Sequence, residues 1–214
     1  MRFLLILINL TLFTGNSWAG WRDLAASQFQ IAPMPSFGSA EDLVDLQTMI
    51  DSQENRSQKT CDYATDHFDY DFVSMYKGFL STTQIRKVKS FMDDVFNTTG
   101  RIVNVFKAKY ARSYPFVAYS AKIHPCVPTT GGTTSFSYPS GHTTGGIVSA
   151  CALAVIFPDH AADIWKHGEY QGDLRVIIGR HYPTDVKAGK HLGQAICKML
   201  RQDPEFVREA EALR

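Results

Sequence analysis

His181 and Asp185 stand four residues apart, a spacing that brings two side chains together on a helical turn. A carboxylate accepting from one imidazole nitrogen fixes the tautomer and leaves the other nitrogen free as nucleophile or base. Arg175, shortly before them, carries a planar guanidinium fork suited to phosphoryl oxygens. Ser140-Gly141-His142 follows Pro139 where a loop gives way to an apolar helical pattern. The first amides of a helix have no internal partners, so this junction offers N–H groups and a positive dipole end to an anion. Gly141 lets backbone approach closely, Ser140 adds a hydroxyl donor, and His142 faces the same anion. Lys107 lies on the helix before that loop, and Tyr114-Pro115 opens the loop. Each feature alone has an ordinary explanation: a surface His–Asp pair, a capping serine, a solvated lysine. Together they supply a nucleophile, a carboxylate to orient it, a second imidazole and several cations. That is equipment for phosphoryl transfer, which needs positioning and electrostatic stabilisation above all.

Helices must position these residues. Ser39-Ala-Glu-Asp42 and Ser81-Thr-Thr-Gln84 read as capping boxes. The first opens a helix with Leu43, Leu46 and Ile50 on one face; the second opens one carrying Ile85, Val88, Met92, Val95 and Phe96. Asn97 to Gly100 is expected to break that helix before it resumes from Arg101 to Ala111. A long irregular stretch, Tyr114 to Pro139, then leads to a buried helix from about Ser140 to Phe157. Asp159 to Lys166 and Asp173 to Gly179 read as two helices separated by Gly168 and Gly172. Pro183 and Pro204 each sit in the first turn of a further helix. Alternating strand patterns are nearly absent. The expected fold is all-α, a single-domain helical bundle over residues 20–214, entered through an extended arm at 20–38.

The formal charge of +1, from 22 basic and 21 acidic residues, leaves no polybasic field for nucleic acid or an anionic membrane. Affinity for an anion must come from a few local groups. Met1-Arg2, the apolar run Phe3–Phe13 and Ser17-Trp18-Ala19 form the three elements of a cleaved signal peptide over residues 1–19. The expected location is therefore periplasmic or secreted, with no membrane anchor after cleavage. Cys61, Cys126, Cys151 and Cys197 allow three full disulfide pairings. Cys61 and Cys126, in polar, turn-rich sequence, are the favoured bridge. Cys151 and Cys197 fall in apolar helical patterns, where a buried free thiol is the simple alternative. His67, His124, His160, His167 and His191 show no metal-ligand spacing and read as surface residues; no metal or cofactor is expected.

Lys107-x6-Tyr114-Pro115, Pro139-Ser-Gly-His142 and Arg175-x5-His181-x3-Asp185 resemble the tripartite signature of the type 2 phosphatidic acid phosphatase superfamily. Ser137-Tyr-Pro-Ser-Gly-His-Thr143 is most similar to the version in bacterial class A nonspecific acid phosphatases. His181-Tyr-Pro-Thr-Asp185 is closer to the lipid-phosphatase version. The resemblance implies a helical fold and an exported phosphomonoesterase acting on small phosphomonoesters. It further implies His181 as nucleophile through a phosphohistidine, Asp185 orienting it and His142 as general acid and base. Lys107, Arg175, Ser140, Gly141 and Tyr114 would bind the substrate phosphate, without a metal, and the chain could form a homodimer as many class A relatives do. Two positions depart from the family pattern: Tyr114 stands where an arginine is usual, and Leu174 stands where a serine is usual. Arg112 and Arg180 are both available to replace the missing charge. The alternatives are a lipid phosphatase acting on lipid A or polyprenyl phosphates, a vanadium haloperoxidase, and a phosphate-binding protein without turnover.

Overall fold

The computed structural model describes residues 20–129 and 135–214. The expected signal peptide, 1–19, and a piece of the long loop, 130–134, lie outside the described residues. Regular structure among the described residues is helical, without a strand. The helices are α1 (Ala40–Asn55), α2 (Gln58–Asp66), α3 (Phe72–Met75), α4 (Thr82–Tyr110), α5 (Pro115–Ala118), α6 (Gly141–Ile156), α7 (Ala161–Ile177), α8 (Pro183–Gln202) and α9 (Pro204–Glu211). The all-α reading holds.

α6 is the axis of the bundle, against which α4, α7, α8 and α9 pack. Only Gly141, His142 and Ala154 of this helix escape full burial, as expected of a helix that is apolar on every side. Close approach explains its composition. A Cβ on Gly146 would run into the backbone of Gly168 on α7, and a Cβ on Gly193 of α8 would stand 2.7 Å from Ile147. Gly168 and Gly172 therefore do not interrupt the helical run. They lie inside one continuous helix, α7, and let it press against α6.

α4 is likewise unbroken through Asn97–Gly100. Thr99 returns its hydroxyl to the Val95 carbonyl at 2.8 Å, which satisfies it inside the helix. Ser81 and Gln84 form the expected capping box at its start. The N-terminal segment is more than an arm. Residues 21–23 and 26–28 make short 3-10 turns, and Trp21 is buried against Phe91 and Phe206.

Both cysteine pairs are bridged. Cys61–Cys126 ties α2 to the long loop, and Cys151–Cys197 ties α6 to α8. The free-thiol alternative for Cys151 and Cys197 is overturned because close α6–α8 packing sets their Cα atoms 5.8 Å apart.

Arg112 fastens the elements that carry the chemistry. Ala111, in the left-handed region at φ 49°, turns the chain out of α4 and leads into Arg112. Its guanidinium, 6% exposed, meets Asp42 at 2.8 Å, Asp45 at 3.1 Å and Asp185 at 2.8 Å, and lies over the Tyr182 ring. This corrects the expected face of α1. Asp42, Asp45, Leu46 and Met49 point inward, while Leu43 is half exposed. Ion pairing, rather than apolar periodicity alone, selects the buried side.

Two outcomes follow for stability. Replacing Cys151 and Cys197 together by alanine opens a loop of about 46 residues and should cost about 2–4 kcal/mol. Thermal unfolding should then shift down by roughly 5–15 °C, and an unchanged midpoint would contradict this role. Arg112→Met strands three buried carboxylates and should cost about 3–5 kcal/mol in urea unfolding at neutral pH.

Candidate active site

Asp185 occupies the third position of α8, and its Oδ2 accepts from the Tyr182 backbone N–H at 3.1 Å. Pro183 supplies the fixed φ of the first turn. His181 itself is not helical. It lies in the turn between α7 and α8, where the His181 and Arg180 N–H groups both donate to the Arg175 carbonyl. The expected His–Asp pairing nevertheless forms, with His181 Nδ1 3.2 Å from Asp185 Oδ2. Nε2 has no hydrogen-bond partner among the described residues. Burial first, then the neighbouring Lys107, pulls the His181 pKa down to about 4 despite the opposing Asp185 contact. The imidazole is therefore neutral over the ordinary pH range.

His142 stands in the first turn of α6. Its Nε2 lies 2.9 Å from the Phe68 carbonyl, and its ring meets Tyr70 edge-on at 5.3 Å. A carbonyl only accepts, so this contact puts a proton on Nε2. Burial is the main cause of a pKa held well below the usual imidazole value, reinforced by the charge of Arg175.

Arg175, in the last turn of α7 and 1% exposed, donates to the His67 carbonyl at 3.2 Å and to Gln171. Lys107, near the end of α4, donates to the Phe136 carbonyl. Burial lowers Arg175 to about 9 and Lys107 to about 8. Neither has a salt-bridge partner among the described residues. Two buried cations without a carboxylate make a strong attraction for an incoming anion.

Ser140 stands at the N-cap of α6. Its hydroxyl caps α6, taking the Thr143 hydroxyl at 2.8 Å, and its N–H donates to the Asp185 carbonyl at 3.0 Å. The serine is fully buried and joins α6 to α8: its N–H is spent on the scaffold, and its hydroxyl oxygen accepts from the Thr143 N–H and hydroxyl. The Gly141 and His142 amides that follow have no partner among the described residues. Tyr114 precedes α5, which begins at Pro115. Its ring lies 5.3 Å from the His181 ring and 5.5 Å from Lys107 Nζ.

The two 570 Å³ surface clefts are lined by none of these residues. Backbone carbonyls of two segments, His67–Phe68 and Phe136, instead rest on Arg175, His142 and Lys107. The sequence reading missed Phe68 and Tyr70, whose only advance signal is aromatic density ahead of α3. It also placed His67 on the surface. His67 is 7% exposed, with Nδ1 and Nε2 each against a backbone carbonyl, of Tyr63 and Lys77. His167 is half-buried against Met75, while His124, His160 and His191 are exposed as expected. Among the described residues no three His, Cys, Asp or Glu side chains are grouped to hold a metal ion, and no helix is long and apolar enough to cross a membrane.

Comparison with known proteins identifies the family. The profile of the PAP2 superfamily matches residues 95–208. The acid phosphatase of Zymomonas mobilis is 29% identical over 191 residues, covering 86% of this chain and 72% of that protein. A non-specific acid phosphatase of Salmonella typhimurium is 34% identical over 110 residues, covering 50% of this chain; the match spans less than half of that relative, 43%. A lipid A 1-phosphatase of Rhizobium etli is 25% identical over 160 residues, 75% of this chain and 64% of that one. Among solved structures, a transmembrane PAP2-type phosphatidylglycerolphosphate phosphatase of Bacillus subtilis shares the fold at a TM-score of 0.58 and 19% identity. It covers 78% of this chain and 87% of that one. A bacterial vanadium-dependent iodoperoxidase gives 0.57 at 15% identity, over 86% of this chain and 53% of that one. The buried His–Asp pair, the helix-mouth histidine and the unneutralised cations thus stand on a helical scaffold shared with phosphatases, and the chain belongs to the PAP2 superfamily.

Proposed function

We propose that this chain is an exported phosphomonoesterase that works through a phosphohistidine on His181, without a metal. The observation that carries this reading is the His181 imidazole oriented by Asp185 and sharing the Tyr114 ring with Lys107, its pKa lowered by burial. Lys107, Arg175 and the amides of Gly141 and His142 bind the phosphoryl oxygens. They displace the backbone carbonyls that rest on the two cations. His181 Nε2 attacks phosphorus while the ester oxygen departs with a proton from His142. The proton on His181 Nδ1 stays directed at Asp185, which stabilises the positive charge that develops on the ring. In the second step His142 takes a proton from water, the water oxygen attacks phosphorus, and the P–N bond breaks to release phosphate. A bound dianion favours protonated His142, opposing the burial that otherwise keeps it neutral. The extracytoplasmic location is supported by two disulfides, which persist in oxidising compartments.

Similarity to the Rhizobium etli lipid A 1-phosphatase, and the wording His181-Tyr-Pro-Thr-Asp185, favour a lipid phosphate as the second reading. Water-soluble esters and the same headgroup carried in detergent micelles separate the two. Preference for the soluble ester supports the phosphomonoesterase.

Hydrolysis of p-nitrophenyl phosphate should survive chelator, be inhibited by vanadate, and fall about 10³-fold or more in His181→Ala. Chelator-sensitive activity that survives this substitution would sink the proposal. The profile of kcat/KM should be bell-shaped. It declines below about pH 4 as His181 gains a proton, and declines at higher pH as His142 loses the proton it must donate. His142→Ala should harm alkyl phosphates more than p-nitrophenyl phosphate, because the aryl leaving group departs without protonation.

A further inference from the structure

Arg180 sits immediately before His181 and takes no part in the carboxylate cluster around Arg112. Its guanidinium lies 5.2 Å from the Tyr114 ring, 4.9 Å from that of Phe116 and 5.2 Å from that of Phe68. Tyr114 is thus a shared floor: Arg180, Lys107 and His181 all meet its ring within 5.5 Å. Among the described residues Arg180 has no carboxylate partner, and its one side-chain hydrogen bond goes to the Pro128 carbonyl at 3.1 Å. Arg112 presents the opposite case. Three carboxylates hold it on the far side of Asp185, and it has no charge left to offer an anion.

We propose that Arg180 is the third cation of the phosphoryl-binding pocket, supplying from the α7–α8 turn the guanidinium absent at Tyr114. Its aromatic seat holds the planar group while leaving its N–H donors free to turn from the Pro128 carbonyl to a phosphoryl oxygen. The positive field of Arg180 already reaches the site, since it lowers the pKa values of Lys107, Arg175, His142 and His181. The carbonyl on Arg180 repeats the pattern at Lys107 and Arg175, where backbone oxygens rest on the cations. This inference deepens the phosphatase reading and rests on it.

The test uses the full mature chain and two probes, p-nitrophenyl phosphate turnover and protection from thermal unfolding by orthophosphate or vanadate. Arg180→Met should weaken orthophosphate and vanadate binding and lower kcat/KM about 10- to 100-fold, the scale of losing one charged donor. Its melting temperature without ligand should stay close to that of the parent, because no buried carboxylate is stranded. Adding Tyr114→Arg to Arg180→Met should recover about tenfold or more of the loss, since a guanidinium returns to the same ring-sized space. An Arg180→Met protein with parental anion affinity and turnover overturns the proposal. So does a loss that neither Tyr114→Arg nor Arg180→Lys reduces, which would make Arg180 a packing residue. If the parent chain binds orthophosphate but does not turn over esters, the phosphatase reading fails while the binding measurements still decide the role of Arg180.

Discussion

Three carboxylates from two distant regions of the chain converge on the Arg112 guanidinium, and the geometry of the pocket depends on that convergence. Asp42 and Asp45 fix α1, Asp185 fixes the start of α8, and Tyr182 stacks under the guanidinium. Thr184 donates to Asp45 through both its N–H and its hydroxyl, and Tyr119 donates to Asp42. Burial pushes Asp45 upward in pKa more than these bonds pull it down. For Asp42, burial is outweighed by the bonds from Tyr119, the Gly38 N–H and Arg112, and the net shift is downward. A buried cluster of this kind contributes less net stability than its distances imply, because each ion first loses its water. Its contribution is orientation. One Asp185 oxygen is held by Arg112, and the other meets the Tyr182 N–H and His181 Nδ1, so the carboxylate cannot swing away.

The same network sorts charge across the site. Asp185 is committed to Arg112 and His181, while Lys107, Arg175 and Arg180 have only backbone carbonyls, Gln171 and aromatic rings against them among the described residues. Had a fourth carboxylate stood there, the cations would be neutralised and an anion would have to displace it. Backbone carbonyls carry no net charge, so these contacts leave the charges of Lys107, Arg175 and Arg180 unneutralised.

Close packing makes this arrangement rigid. α6 meets α7 at facing glycines, and Cys151–Cys197 locks it to α8, so the helix mouth carrying Gly141 and His142 keeps a fixed relation to His181. Ser140 completes the link, its N–H held by the Asp185 carbonyl. The segments that lie over the pocket are of another kind. His67, Phe68, Tyr70, Pro128 and Phe136 touch the site residues through single hydrogen bonds and aromatic edges.

Local rules in the sequence determined a great deal. Capping serines at 39, 81 and 140, the prolines at 183 and 204, and the apolar run after Gly141 each act within one or two turns, and these helix starts are where the residues say they should be. The His181–Asp185 spacing and each part of the tripartite motif are short-range as well, which is why the candidate residues were legible before any coordinates. Where local reasoning failed, a distant contact had decided the matter. Gly168 and Gly172 looked like helix breakers until α6 arrived beside them, with the Gly146 backbone against the first and the Thr143 side chain against the second. His67 looked like a surface residue until carbonyls of Tyr63 and Lys77 enclosed it. Arg112 and Arg180 are the same residue type with the same formal charge, and nothing in their neighbours tells them apart. Tertiary structure alone gave one three carboxylates and the other an aromatic seat, because charge pairing depends on distance through space and not on separation along the chain.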